Sequence, residues 1–193
     1  MEQAWASVYA ALRQLSPIPL EEWNAFKASA AYRSIAKHAH FVREGEPTDS
    51  IAVCVSGLFR LYYTTPDGSE YNKSFCAGSD FLASYSALLL NTPSFFSVQA
   101  LMDSELVVIR FADFQALYAR NVCWERLGRI LIERLFVKKE TRERELLMLS
   151  AEKRYLLFIE KYGHHAKNIP QYHIASYLGI TPVALSRIRG KLT

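Results

Sequence analysis

From Val122 to Leu149 the chain runs without a proline, and Leu127, Ile130, Leu131 and Leu135 recur at helical spacing. A helix of about 28 residues spans roughly 40 Å, more than a small domain can cover. Its later turns are highly charged, with Glu140 and Arg144 placed four apart for an ion pair. Such a helix needs a second copy beside it or a domain at each end. Both are expected here: a homodimer seam built from Leu127, Ile130, Leu131 and Leu135, and a bridge between two domains. Ser150, followed by Glu152-Lys153, reads as an N-cap and hence a break, after which Ala151 to Tyr162 forms a further helix.

The segment beyond, IPQYHIASYLGITPVALSRIRGK, reads as two short helices joined by a tight turn. Pro170 stands at a helix start, where its missing N–H costs nothing. Ile174, Ala175 and Leu178 follow at helical spacing. Gly179 suits the left-handed position that ends a helix, and Thr181-Pro182 restarts one. Leu185 and Ile188 give the second helix an inward face, leaving Val183, Ser186, Arg187 and Lys191 to face elsewhere. So short a helix is unstable alone and must pack on its neighbour. Its polar side suits the major groove of DNA, where Arg187 can make two hydrogen bonds to guanine or clamp a phosphate. A helical hairpin that merely closes a small core is the competing reading.

The chain is 193 residues long with a net charge of +4. That charge is unevenly placed. From Ser150 onward seven lysines and arginines face two acids, so the body before it carries −1. A basic terminal domain on a near-neutral body matches a DNA-binding layout, although a solvated basic face would look the same. No apolar run reaches the length of a membrane span and no signal pattern opens the chain, so a cytoplasmic protein is expected. Cys54, Cys76 and Cys123 have neither disulfide-framework nor zinc-ligand spacing and are expected to be half-buried thiols.

Residues 1–37 show short helical patterns, with Trp5, Val8, Leu12 and Leu15 on one face and a second helix over Leu20 to Ala30. From His38 to about Ile109 the period becomes that of strands, rich in β-branched and aromatic residues and cut by glycines. Asp67-Gly68 is a hairpin signal, and many short strands indicate a barrel or sandwich. A helical insert interrupts them between Phe81 and Ser97. The expected class is therefore α+β. Residues 1–120 form a barrel or sandwich with N-terminal helices, 121–149 a long dimerisation helix, and 150–193 a helix-turn-helix domain.

This order resembles the Crp–Fnr family of bacterial transcription regulators, which implies that residues 1–120 are a jelly-roll-like β-roll sensor domain. VREGEPTDSIAVCVSGLFRLYYTTPDGSEY is similar to that family's sensor strands, GSDF at Gly78–Phe81 to the start of its phosphate cassette, and LGITPVALSRIRGKL to its recognition segment. The resemblance puts base-reading roles on Val183, Ser186 and Arg187, and phosphate contacts on Thr181, Arg189 and Lys191. Val183 stands where glutamate is frequent, so the preferred operator should differ. The glutamate and arginine that cyclic-nucleotide binders need would fall on Ser84 and Ser94, with Phe95 next. A cyclic phosphate buried without a cation would cost on the order of a few kcal/mol. Cyclic AMP is therefore not expected as a ligand. The pocket, taken to be lined by Phe81, Ser84, Tyr85, Leu88, Ser94, Phe95 and Phe96, either holds another small molecule or is a filled core.

No metal or cofactor is expected. There is no cysteine cluster near the N-terminus, and His38 and His40 read as surface side chains. His164, His165 and His173 read as loop and phosphate-facing groups. The expected partners are double-stranded DNA, a second copy of the chain and RNA polymerase, with no membrane. A ligand-binding or protein-interaction module that does not bind DNA specifically is the alternative. No nucleophile–base pairing or P-loop points to an enzyme.

Overall fold

The computed structural model describes residues 1–192. Two helices open the chain, α1 (Glu2–Arg13) and α2 (Leu20–Ser29), separated where Pro17 and Pro19 stop the helical pattern. Val8 and Leu12, one turn apart, are buried. Glu22 does more than complement the start of α2. Its carboxylate is buried, accepts a hydrogen bond from Trp124 Nε1 at 2.8 Å and pairs with Arg120 at 3.3 Å.

The chain then becomes extended earlier than its sequence indicates. β1 (Ala30–Ile35) follows α2 directly. Its six residues pair antiparallel with β8 (Ser104–Arg110), far along the chain. The other strands are β2 (His40–Val42), β3 (Ser50–Ser56), β4 (Leu58–Thr64), β5 (Glu70–Ala77), β6 (Phe81–Leu82) and β7 (Ser97–Ala100). They form two four-stranded antiparallel sheets, ordered β1-β8-β3-β6 and β2-β7-β4-β5. Helix α3 (Tyr85–Leu90) is inserted between β6 and β7. Asp67-Gly68 makes the expected β4–β5 turn, with Gly68 at φ 84°.

Gly57 alone separates β3 from β4, which lie in different sheets. Its φ is 112°, and a Cβ there would lie 2.1 Å from Ser104 Oγ and 2.7 Å from Ser104 Cα. Only glycine permits so sharp a corner against so close a neighbour.

After α4 (Phe111–Ala116) comes α5 (Val122–Met148), capped by the Asn121 side chain accepting from the Cys123 N–H at 2.9 Å. The first turns of α5 are locked into the body. Trp124 and Leu127 are fully buried among residues of α1, α2, β3 and β8. Phe26 stacks on Trp124 at 5.6 Å between ring centroids, and Phe114 meets it edge-on. This removes Leu127 from the expected dimer seam, whereas Ile130 and Leu135 stay half-buried. Leu127 has no surface left for a partner, and Leu131 packs on the same internal core. Beyond its first turn, α5 leaves Ile132, Phe136, Val137, Leu146, Leu147 and Met148 exposed.

Ser150 caps α6 (Ala151–Tyr162), accepting from the Lys153 N–H. Helices α7 (Gln171–Leu178) and α8 (Pro182–Leu192) follow. Their core is not closed by helices alone. Phe158, Tyr162, Tyr177, Leu178 and Leu185 share it with Leu58, Phe75 and Leu101 of the β-roll. Helix α7 lies along β5, the edge strand of its sheet. Ser176 Oγ accepts from the Asn72 N–H at 2.9 Å and donates to the Glu70 carbonyl at 3.0 Å, standing in for a missing strand.

Candidate nucleic-acid interface and β-roll interior

The turn between α7 and α8 has the local chemistry its residues dictate. Gly179 adopts the left-handed conformation at φ 67°, and Thr181 Oγ1 accepts from the Ala184 N–H at 3.2 Å. Leu185 is fully buried and Ile188 half-buried, so α8 is seated by one face. On the other face Val183, Ser186 and Arg187 are exposed. Thr181, Arg189 and Lys191 are exposed as well. The helix thus presents a polar, cationic side whose height and orientation are set by the packing of Leu185.

His173 corrects an expectation. It is buried and its ring meets polar side chains of the β-roll. Its Nδ1 lies 3.2 Å from Arg60 Nη1 and 3.2 Å from Asn72 Nδ2. Both are donors, so Nδ1 accepts and the ring is neutral. Burial pushes its pKa down to about 4, with the Arg60 cation adding to the effect and Glu70 opposing it. Arg60, itself buried, is held by Glu70 at 2.5 Å and Gln99 at 2.7 Å and lies over the Tyr62 ring at 3.8 Å. A buried polar clasp therefore joins β4 and β5 to the first helix of the helix-turn-helix. A lone histidine in a basic segment gives no sign of a partner more than a hundred residues away.

The residues expected to line one effector pocket are divided between two cores. Phe81, Tyr85 and Leu88 pack on the core shared with α1, α2 and α5. Ser84 is buried without a hydrogen-bond partner for its hydroxyl. Ser94 is buried, its hydroxyl donating to the Phe96 carbonyl at 2.7 Å. Phe96 belongs to a second core inside the roll, with Phe59, Leu82, Val98 and Leu106, whereas Phe95 is half exposed. The set runs through a short strand, a helix and a loop, which carry its members to two different cores. One apolar cluster joins the two sheets.

Cys54 and Cys76 lie in that packing, where burial pushes their thiols up to about 12 and about 11. Cys123 is also buried. None of the three is a poised nucleophile. Among the described residues, no cluster of three histidine, cysteine or acidic side chains is placed to hold a metal ion. No helix among them is long and apolar enough to cross a membrane.

The β-roll with its inserted helix, the long connecting helix and the terminal helix-turn-helix form a fold shared with solved structures. Residues 32–121 match the family model of the cyclic nucleotide-binding domain. FixK2 from Bradyrhizobium japonicum superposes with a TM-score of 0.72 at 22% identity, covering 84% of each chain. The c-di-GMP-responsive global regulator CLP of Xanthomonas campestris does so at 0.69 and 15%, covering 90% of this chain and 91% of its own. A CooA variant from Carboxydothermus hydrogenoformans matches at 0.69 and 15%, over 87% of this chain and 78% of its own. Among curated proteins none matches the sequence.

Proposed function

We propose that this chain is a homodimeric, sequence-specific DNA-binding transcription regulator of the Crp–Fnr type, acting in the cytoplasm and not as an enzyme. The observation that carries the reading is the two-sided α8. Leu185 is fully buried on one side, and Val183, Ser186 and Arg187 stand exposed on the other. In this reading those three contact bases, and Thr181, Arg189 and Lys191 contact phosphates. The β-roll does not take a cyclic nucleotide, because Ser84 and Ser94 offer no charge and the roll interior is apolar packing.

Arg187→Ala is expected to weaken binding to the selected operator by about ten- to a hundredfold, the worth of one bidentate guanine contact. Binding to scrambled duplex should change little. Two binding curves per protein decide it. Equal losses on both duplexes would make Arg187 a phosphate clamp, and no retention of wild type on DNA at low salt would leave a protein-interaction module instead.

Dimerisation in this reading uses the outward face of α5. Ile132, Phe136 and, three turns on, Leu147 are all more than a third exposed and follow one side of the helix. Phe136→Glu should therefore sediment as a folded monomer. A variant that stays dimeric places the seam elsewhere.

A further inference from the structure

Helix α6 folds back from the break at Leu149-Ser150, so that Lys161 near its end faces the flank of α5. Between them lies an open groove of about 450 Å³, lined by Glu133, Arg134, Val137, Lys138, Thr141 and Lys161. Three of the six lining residues are cations. The one acid, Glu133, is paired outside the trio with Arg129 at 2.6 Å. Among the described residues no carboxylate forms an ion pair with Arg134, Lys138 or Lys161. Lys161 is held below the usual lysine range, first by loss of hydration and then by the charge of Lys138. Arg142 adds to this, and the fields of Glu145 and Asp80 oppose it without cancelling it. Two ammonium groups that repel one another across a gap are stabilised by an anion placed between them.

We propose that this groove binds a small molecule carrying two anionic groups, phosphate or carboxylate. Lys138 and Lys161 take one group as point charges from opposite walls. Arg134, one turn from Lys138, offers its planar fork to the other, and the Thr141 hydroxyl supplies a further donor. Val137 gives an apolar wall for the part between. A ligand held by Lys138 and Lys161 at once ties the long helix to the helix-turn-helix segment across the break that joins them. The site lies outside the β-roll interior and does not depend on whether the chain binds DNA.

Calorimetry of the full chain at low ionic strength, with inorganic pyrophosphate and separately with succinate, tests this. One site per chain for either probe is expected, and the tighter of the two identifies the anionic group. Lys138→Gln and Lys161→Gln should each weaken that binding about tenfold, the loss of one charge-assisted contact. Lys153→Gln, exposed on α6 outside the groove, should leave it unchanged. Absence of binding by both probes overturns the proposal, as does binding that survives both groove substitutions or is lost in Arg187→Ala. If the groove substitutions spare pyrophosphate but weaken binding to scrambled duplex, the groove is a DNA-backbone contact and the proposal fails.

Discussion

Leu127→Ala is expected to lower the stability of the chain by about 2–5 kcal/mol, the range for truncating a large buried aliphatic side chain. For a chain of this size that is a fall in melting temperature of roughly 5–15 °C. Leu127 is fully buried and lines a space already close-packed by Leu12, Phe26, Phe114 and Val107. Little can move in to fill the void, because Trp124 is fixed on one side by Glu22 and by the stacked Phe26 ring. The loss should appear equally at high and low protein concentration, since the residue stabilises the chain and not its pairing. Phe136→Ala is the contrast. Its side chain is 60% exposed, so the melting of the isolated chain should hardly change. Thermal melts of both variants at two concentrations check the pair. A Leu127→Ala protein that melts within two degrees or so of wild type would mean that α5 is not anchored through this turn.

Stability is also expected to fall on mild acidification, through His173. An unfolded histidine titrates near 6.5, whereas His173 in the folded chain is held at about 4. Below 6.5 the unfolded chain takes up a proton that the folded chain refuses. The contribution is therefore complete above that pH and is lost as the pH falls toward 4. By pH 5 about 2 kcal/mol should be gone, or roughly 4–8 °C in melting temperature. His40 adds in the same direction, since burial lowers its pKa as well. A His173→Asn chain keeps an acceptor toward Arg60 and Asn72 but has nothing to titrate. Melts between pH 7 and pH 5 should show its dependence on pH shallower than wild type by close to one proton. Parallel curves would mean that the clasp does not sense pH.

The acid sensitivity has a location. Protonated His173 would aim an N–H at Arg60 and at Asn72, two donors already in place. What opens first is then the contact between α7 and the edge of the β-roll, with the aromatic cluster of Phe75, Phe158, Tyr162 and Tyr177 beneath it. Arg142 of α5 reaches the same corner, lying over the Tyr177 ring at 3.9 Å and donating to the Tyr177 carbonyl. The long helix, the β-roll and the helix-turn-helix meet there.

Short-range chemistry determined a good deal of this protein from the sequence alone. The Asp67-Gly68 turn, the caps at Ser150 and Thr181 and the left-handed Gly179 each depend on a few adjacent residues, and all appear where the residues put them. The two-sided α8 follows from the same local periodicity. The α+β class and the order of roll, long helix and terminal helices were legible too, because strand and helix periods differ so plainly.

Tertiary structure alone decided which of two apolar faces of α5 is inside. Leu127 and Leu131 compete with Ile132 and Phe136, and periodicity cannot rank stripes of equal apolarity until a core claims one of them. It also decided β1, whose ladder is completed by β8 and not by its own neighbours. The supposed pocket divided because Phe81 and Phe96 pack in different cores. His173 became buried because Asn72 and Arg60, remote in sequence, were brought to it with the groups it needs. Each of these outcomes depends on which surfaces meet, and that information lies in contacts between distant segments.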